Sequence, residues 1–116
     1  MHAADTTWSL DDDALAPGQT ARFRLRGAAG PLDGFVVNVG GVLHAYVNRC
    51  PHAGTPLDLT RDGFLGEDGR HIVCSRHGAV FTPETGLCVE GPCPGASLER
   101  LAVARDGRRM VVSCPT

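Results

Sequence analysis

Two short loops, Cys50-Pro51-His52-Ala53-Gly54 and Cys74-Ser75-Arg76-His77-Gly78, constrain this chain more than any other part of it. Each offers one thiolate and one imidazole, and 21 residues separate His52 from Cys74. Thiolate and imidazole donors suit a transition metal, and their delivery as two mixed pairs narrows the choice. A loop with one Cys and one His can straddle a two-metal centre, its sulfur on one ion and its nitrogen on the next. A [2Fe–2S] centre with two Cys on one iron and two His on the other needs that arrangement. A single ion does not, and zinc sites more often take like pairs, Cys with Cys and His with His. A mononuclear zinc site at Cys50, His52, Cys74 and His77 is therefore the rival reading.

Around the loops the chain reads as short strands and turns. Gln19 to Arg26 alternates, with Phe23 and Leu25 on one face and three Arg on the other, which predicts a half-buried strand. Gly27 to Gly34 has the Gly/Pro/Asp composition of a turn. Phe35 to Val39 is apolar enough for a more buried strand, Gly40-Gly41 signals a hairpin, and Val42 to Val47 returns into the first loop. Asp68-Gly69 is a second hairpin signal, and His71-Ile72-Val73 is a short strand feeding Cys74. Ala79 to Thr82 leaves the second loop, Pro83 to Gly86 turns, and Leu87 to Val89 follows. Leu98 to Ala104 and Arg108 to Ser113 form a last hairpin around Asp106-Gly107. No window shows a capped, sustained 3.6-residue period, so the expected class is all-β with antiparallel strands and the ligand loops at hairpin tips. Fifteen Gly and eight Pro agree with many turns and no long helix.

Length and charge exclude several function classes. A chain of 116 residues is expected to form a single domain, 1–116, with a modest core. A net charge of −2 leaves no basic footprint for nucleic acid or an anionic membrane. No signal-peptide core or transmembrane run occurs, and the five Cys are an odd count, so reduced thiols in a cytoplasmic setting are expected. Asp11-Asp12-Asp13 reads as a solvated turn before the first strand, with a docking patch for a redox partner as the alternative. No Gly-rich dinucleotide fingerprint is present, so a reductase would have to be a separate protein.

With the loops and their flanks, the chain resembles the Rieske iron–sulfur family, most closely its soluble ferredoxin-like members. The likeness runs from about Val42 to Val103. It rests on Asn48-Arg49-Cys50-Pro51-His52, Cys74-Ser75-Arg76-His77-Gly78-Ala79-Val80-Phe81, Thr85-Gly86 and Gly91-Pro92-Cys93-Pro94, the last similar to the family's proline loop over the cluster. The resemblance implies an antiparallel β-sandwich with a small cluster-binding subdomain, about residues 48–95, and one [2Fe–2S] cluster held by Cys50, His52, Cys74 and His77. Two departures bear on redox behaviour. Where membrane-bound respiratory members carry a disulfide between the loops, this chain has Thr55 and Arg76, so that bridge cannot form. Where the same members place a Ser and a Tyr that hydrogen-bond to cluster sulfur, it has Ala79 and Phe81. Fewer such bonds leave added negative charge less stabilised, which implies a potential near the low end of the family's range, roughly −150 mV.

The implied function is electron transfer without bond chemistry: a one-electron shuttle from a flavin- or NAD(P)H-dependent reductase to a terminal oxygenase. The alternatives are a Rieske subunit held in a larger oxidoreductase complex and a zinc-bound structural module. Gly54 and Gly78 would let backbone amides approach the cluster, or simply ease a turn, and Pro51, Pro56, Pro92 and Pro94 would stiffen the loops. Cys88 and Cys93 are expected to be small buried hydrophobes rather than a bridge or redox sensors, and Cys114 an incidental thiol near a loose end. His44 and His71 read as structural, and His2 carries nothing. Arg49 and Arg76 flank the loops as solvated charges, with partner docking as the alternative. Arg61 to Gly69 looks like an insertion between the loops.

Overall fold

Phe35-Val36-Val37 lies at the centre of the protein, and the remaining layers are built on its two faces. The computed structural model describes residues 6–27, 30–49, 70–74, 79–91 and 95–114, the side chain of Cys74 excepted. Nine strands are found there: β1 (Thr7–Asp11), β2 (Thr20–Gly27), β3 (Gly30–Val39), β4 (Val42–Val47), β5 (Ile72–Cys74), β6 (Ala79–Phe81), β7 (Cys88–Glu90), β8 (Arg100–Asp106) and β9 (Arg109–Ser113). No helix occurs among the described residues, and every strand pairing is antiparallel.

The strands form a six-stranded sheet in the order β1-β9-β8-β4-β3-β2 and a three-stranded sheet in the order β5-β6-β7. In the larger sheet β4 and β8 share only Ala45↔Leu101 and Tyr46↔Arg100, so it folds at that seam into two halves. Phe23 and Leu25 of β2, Val36 of β3, Ala45 and Val47 of β4, Leu101 of β8 and Val112 of β9 fill the space between the halves. Trp8 of β1 stacks on Phe23 of β2 with ring centroids 4.7 Å apart, bringing the two end strands of the sheet together.

The opposite face of β3 and β4 carries Phe35, Val37 and Tyr46. Ile72, Ala79, Phe81 and Cys88 of the small sheet pack on it together with Leu98, making a second core. Residues 35–38 of β3 are thus covered on both sides, which explains a continuous apolar run where β2 alternates. Gly40 and Gly41 both have positive φ, as the two-residue hairpin turn between β3 and β4 requires.

Two expectations are corrected. Asp11-Asp12-Asp13 does not precede the first strand, because Thr7–Asp11 is itself a strand registered on β9 from Thr7↔Ser113 to Asp11↔Arg109. Gly27 to Gly34 is not a turn throughout, because Gly30 to Gly34 belongs to β3, with Gly27↔Gly30 closing the ladder to β2. Pairing along that ladder overrides the composition. Gly34 serves close packing: a Cβ there would lie 2.5 Å from the Phe23 ring. The aspartates stay exposed, and two of them make ion pairs at the surface. Asp11 pairs with Arg109 at 3.4 Å and Asp12 with Arg105 at 2.6 Å, while the Asp12 amide donates to the Arg108 carbonyl at 2.8 Å.

Candidate metal centre

The ligand loops grow from the seam between the two sheets. β4 leads through Asn48 and Arg49 towards Cys50, and this exit is held on both sides. The Val47 amide donates to the Glu99 carbonyl at 2.8 Å and the Asn48 amide to the Asp33 carbonyl at 2.9 Å, ahead of an Arg49 to Val47 bond at 2.8 Å. Asn48 is buried and Arg49 exposed. For the second loop, Cys74 ends β5 and pairs with Ala79, which begins β6, so Ser75 to Gly78 connect two paired strands. Cys50, His52 and His77 lie outside the described residues, as does the Cys74 side chain. Gly54, Gly78, Thr55, Arg76, Pro51, Pro56, Pro92, Pro94, Cys93, His2 and the 61–69 segment lie outside them too.

Behind the second loop, Ile72, Ala79 and Phe81 are fully buried. The Ala79 methyl and the Phe81 ring, which stand where the resemblance expected hydroxyls to be missing, are core groups here. The Cys88 thiol is buried in the same core, and its Sγ donates to the Glu90 carbonyl at 3.2 Å. The segment from Gly91 to Gly95 leaves and rejoins β7: the Cys88 amide donates to the Ala96 carbonyl at 2.8 Å and the Gly95 amide to the Cys88 carbonyl at 3.3 Å.

Between β6 and β7 the chain closes on itself. The Thr82 amide donates to the Leu87 carbonyl at 3.0 Å, the Gly86 amide to the Thr82 carbonyl at 2.7 Å, and the Thr82 and Thr85 hydroxyls bond to each other at 2.6 Å. Among the described residues, three ties join this turn to the rest of the protein. The Tyr46 hydroxyl donates to the Pro83 carbonyl at 2.6 Å, Arg100 Nη1 to the Glu84 carbonyl at 2.6 Å, and the Leu98 amide to the Gly86 carbonyl at 2.8 Å. Gly86, at φ +75°, lies so close to the Tyr46 ring that a Cβ would meet Cε1 at 2.8 Å.

Two titratable groups lie beside these ties. Burial lowers His44 from its ordinary value of 6.5, Glu84 opposing the shift and Arg100 adding to it. Its Nδ1 is buried without a hydrogen-bond partner. Burial raises the Tyr46 phenol, so the hydroxyl stays a donor. His44 is thus a core histidine, as expected, and His71 is half-buried just ahead of β5. Cys114 is not on a loose end: it is half-buried against the larger sheet's core.

Among the described residues no three His, Cys, Asp or Glu side chains converge as a metal site. The donors the loops carry, two thiols and two imidazoles, are chemically the set a [2Fe–2S] cluster with uneven ligation takes. The model of the Rieske [2Fe–2S] domain matches residues 7–114. The chain belongs to the Rieske [2Fe–2S] domain family. One [2Fe–2S] cluster is the cofactor of that family, which displaces the zinc reading. The ferredoxin component of biphenyl 2,3-dioxygenase from Rhodococcus jostii (strain RHA1) is 38% identical over 72 residues, 62% of this chain and 59% of that relative's length. The ferredoxin of carbazole 1,9a-dioxygenase from Nocardioides aromaticivorans IC177 superposes with a TM-score of 0.72 at 27% identity, covering 91% of this chain and 94% of that one. The terminal oxygenase of carbazole 1,9a-dioxygenase from Novosphingobium sp. KA1 shares the fold, with a TM-score of 0.75 at 20% identity over 98% of this chain and 31% of the oxygenase.

Proposed function

We propose that this Rieske protein is a ferredoxin: a single domain, residues 1–116, that shuttles one electron at a time from a separate flavin- or NAD(P)H-dependent reductase to a terminal oxygenase. The match across residues 7–114, with both Cys/His loops rooted in paired strands, carries this reading. Cys50 and Cys74 would hold one iron of the cluster, and His52 and His77 the other. When bound, the cluster supplies a one-electron couple. Two histidine ligands would each keep a second ring nitrogen able to gain or lose a proton, which would tie electron uptake to pH. Ala79 and Phe81 bring no side-chain hydroxyl towards the loops, which supports a potential near the low end of the Rieske range, roughly −150 mV.

The ferredoxin names of the two relatives, and near-complete coverage of one of them, favour a carrier over a domain of a larger enzyme. A subunit locked into a permanent complex would present a large apolar surface. Among the described residues the exposed large hydrophobics are Val42, Leu87 and Val89. The protein performs no bond chemistry alone and works in the cytoplasm. No helix among the described residues is long and apolar enough to cross a membrane.

Anaerobic purification with iron, zinc and acid-labile sulfide measured together tests the reading. Equal iron and sulfide, with a reduced-state paramagnetic resonance spectrum showing nitrogen ligation, is the expected result; stoichiometric zinc without sulfide refutes it. The variant His77→Ala should lose the cluster, and full iron and sulfide retention in that variant would remove His77 from the ligand set.

A further inference from the structure

Tyr46 occupies an unusual place in the chain. It lies four residues before Cys50, on the strand that runs into the first ligand loop. Its side chain crosses to the other sheet and donates to the Pro83 carbonyl at 2.6 Å. Pro83 follows β6, the strand that leaves the second ligand loop, and the turn it opens leads into β7 and the Gly91 to Gly95 segment. One side chain thus joins the roots of both loops.

The joint is built to be stiff. The Tyr46 ring is fully buried, tilted against Phe35 with centroids 6.1 Å apart, and pressed by Gly86, which leaves no room for a Cβ. The accepting carbonyl belongs to a turn that its own hydrogen bonds close and that Arg100 and Leu98 also hold. In a buried, low-dielectric site such a bond is worth more than at the surface, and leaving the carbonyl without a donor is costly. The small sheet consists of three strands of three residues each, too little to fix its own position.

We propose that Tyr46 is a positioning residue for the [2Fe–2S] cluster: its hydroxyl on the Pro83 carbonyl fixes how the two ligand loops face each other. The proposal rests on the Rieske reading of the loops. It takes Tyr46 as a brace between the strand that enters the first loop and the turn that follows the strand leaving the second.

The variant Tyr46→Phe removes one oxygen and keeps the ring. In the cluster-loaded protein it should broaden the reduced-state resonance lines and speed cluster loss to a chelator about five- to tenfold, as expected for one buried hydrogen bond. Val112→Ala trims the core of the larger sheet, which holds neither Tyr46 nor Pro83. It should lower Tm at least as much while leaving line widths unchanged and cluster loss close to wild type. Arg100→Gln, which removes an exposed tie to the same turn, should move both readouts in the same direction as Tyr46→Phe but less. Unchanged spectra and cluster lifetime in Tyr46→Phe overturn the proposal, as do changes in Val112→Ala that match it. If Tyr46→Phe fails to load a cluster, an Arg100→Gln variant with wild-type line widths and cluster lifetime overturns it instead. A wild-type protein without a Rieske spectrum would instead defeat the ferredoxin reading itself.

Discussion

The six-stranded sheet and the three-stranded sheet solve the same problem on different terms. The larger has strands of five to ten residues, folds over a core of its own, and brings its end strands together through Trp8 and Phe23. The smaller has three-residue strands and, among the described residues, packs its core on the outer face of β3 and β4. Strands so short gain little from pairing alone. The larger sheet is therefore a scaffold that folds by burial. The smaller depends on the scaffold, on the ties at Pro83, Glu84 and Gly86, and on whatever the ligand loops bind. Position is imposed from outside on the part of the molecule closest to the redox chemistry.

Removing the metal should separate the two regions most sharply. In protein stripped of iron, backbone amides of β6 and β7 should exchange about a hundredfold faster, while those of Val36 and Ala45 hold near their original rates. Uniform acceleration across both sheets, read by hydrogen–deuterium exchange, would mean that they fold as one unit. A smaller effect is expected at the seam. Because burial lowers His44, protonation favours the unfolded chain, so stability falls as pH drops below the ordinary value of 6.5 and levels off once the folded value is passed. Glu84 and Arg100 are the charged groups that act on it. Urea midpoints at about pH 7.5 and about pH 5 should differ less in His44→Phe than in wild type, and an equal difference would clear His44 of the role. The smallest change belongs to the far end of the scaffold. Arg105→Ala breaks an exposed pair with Asp12 and should cost about 0.5 kcal/mol or less in thermal unfolding; a larger loss would show that the aspartate run does more than stay solvated.

The sequence disclosed this division unevenly, for physical reasons. The strand pair around Gly40-Gly41 and the buried character of Phe35 to Val39 were legible because turn chemistry and two-sided burial leave a local trace. β1 was not, although Trp8 and Leu10 alternate with polar residues, because its partner β9 lies about a hundred residues away and the strand runs straight into the aspartates at 11–13. The start of β3 was hidden by a composition suited to a turn, when Gly34 is present to admit the Phe23 ring. At the candidate centre the four proposed donors are read from type and spacing, and Cys50, His52, His77 and the Cys74 side chain lie outside the described residues. The brace behind them was not legible, since nothing local in His44-Ala45-Tyr46 announces a hydroxyl aimed at a carbonyl 37 residues further on.

The stacked indole carries a practical consequence. Trp8 is the single tryptophan of the chain, and it sits on the seam that shuts the scaffold, on the core opposite the one beneath the small sheet. Its emission is a natural optical gauge of scaffold integrity, one that should stay steady while visible absorbance follows the iron, so one cuvette can record the two regions coming apart.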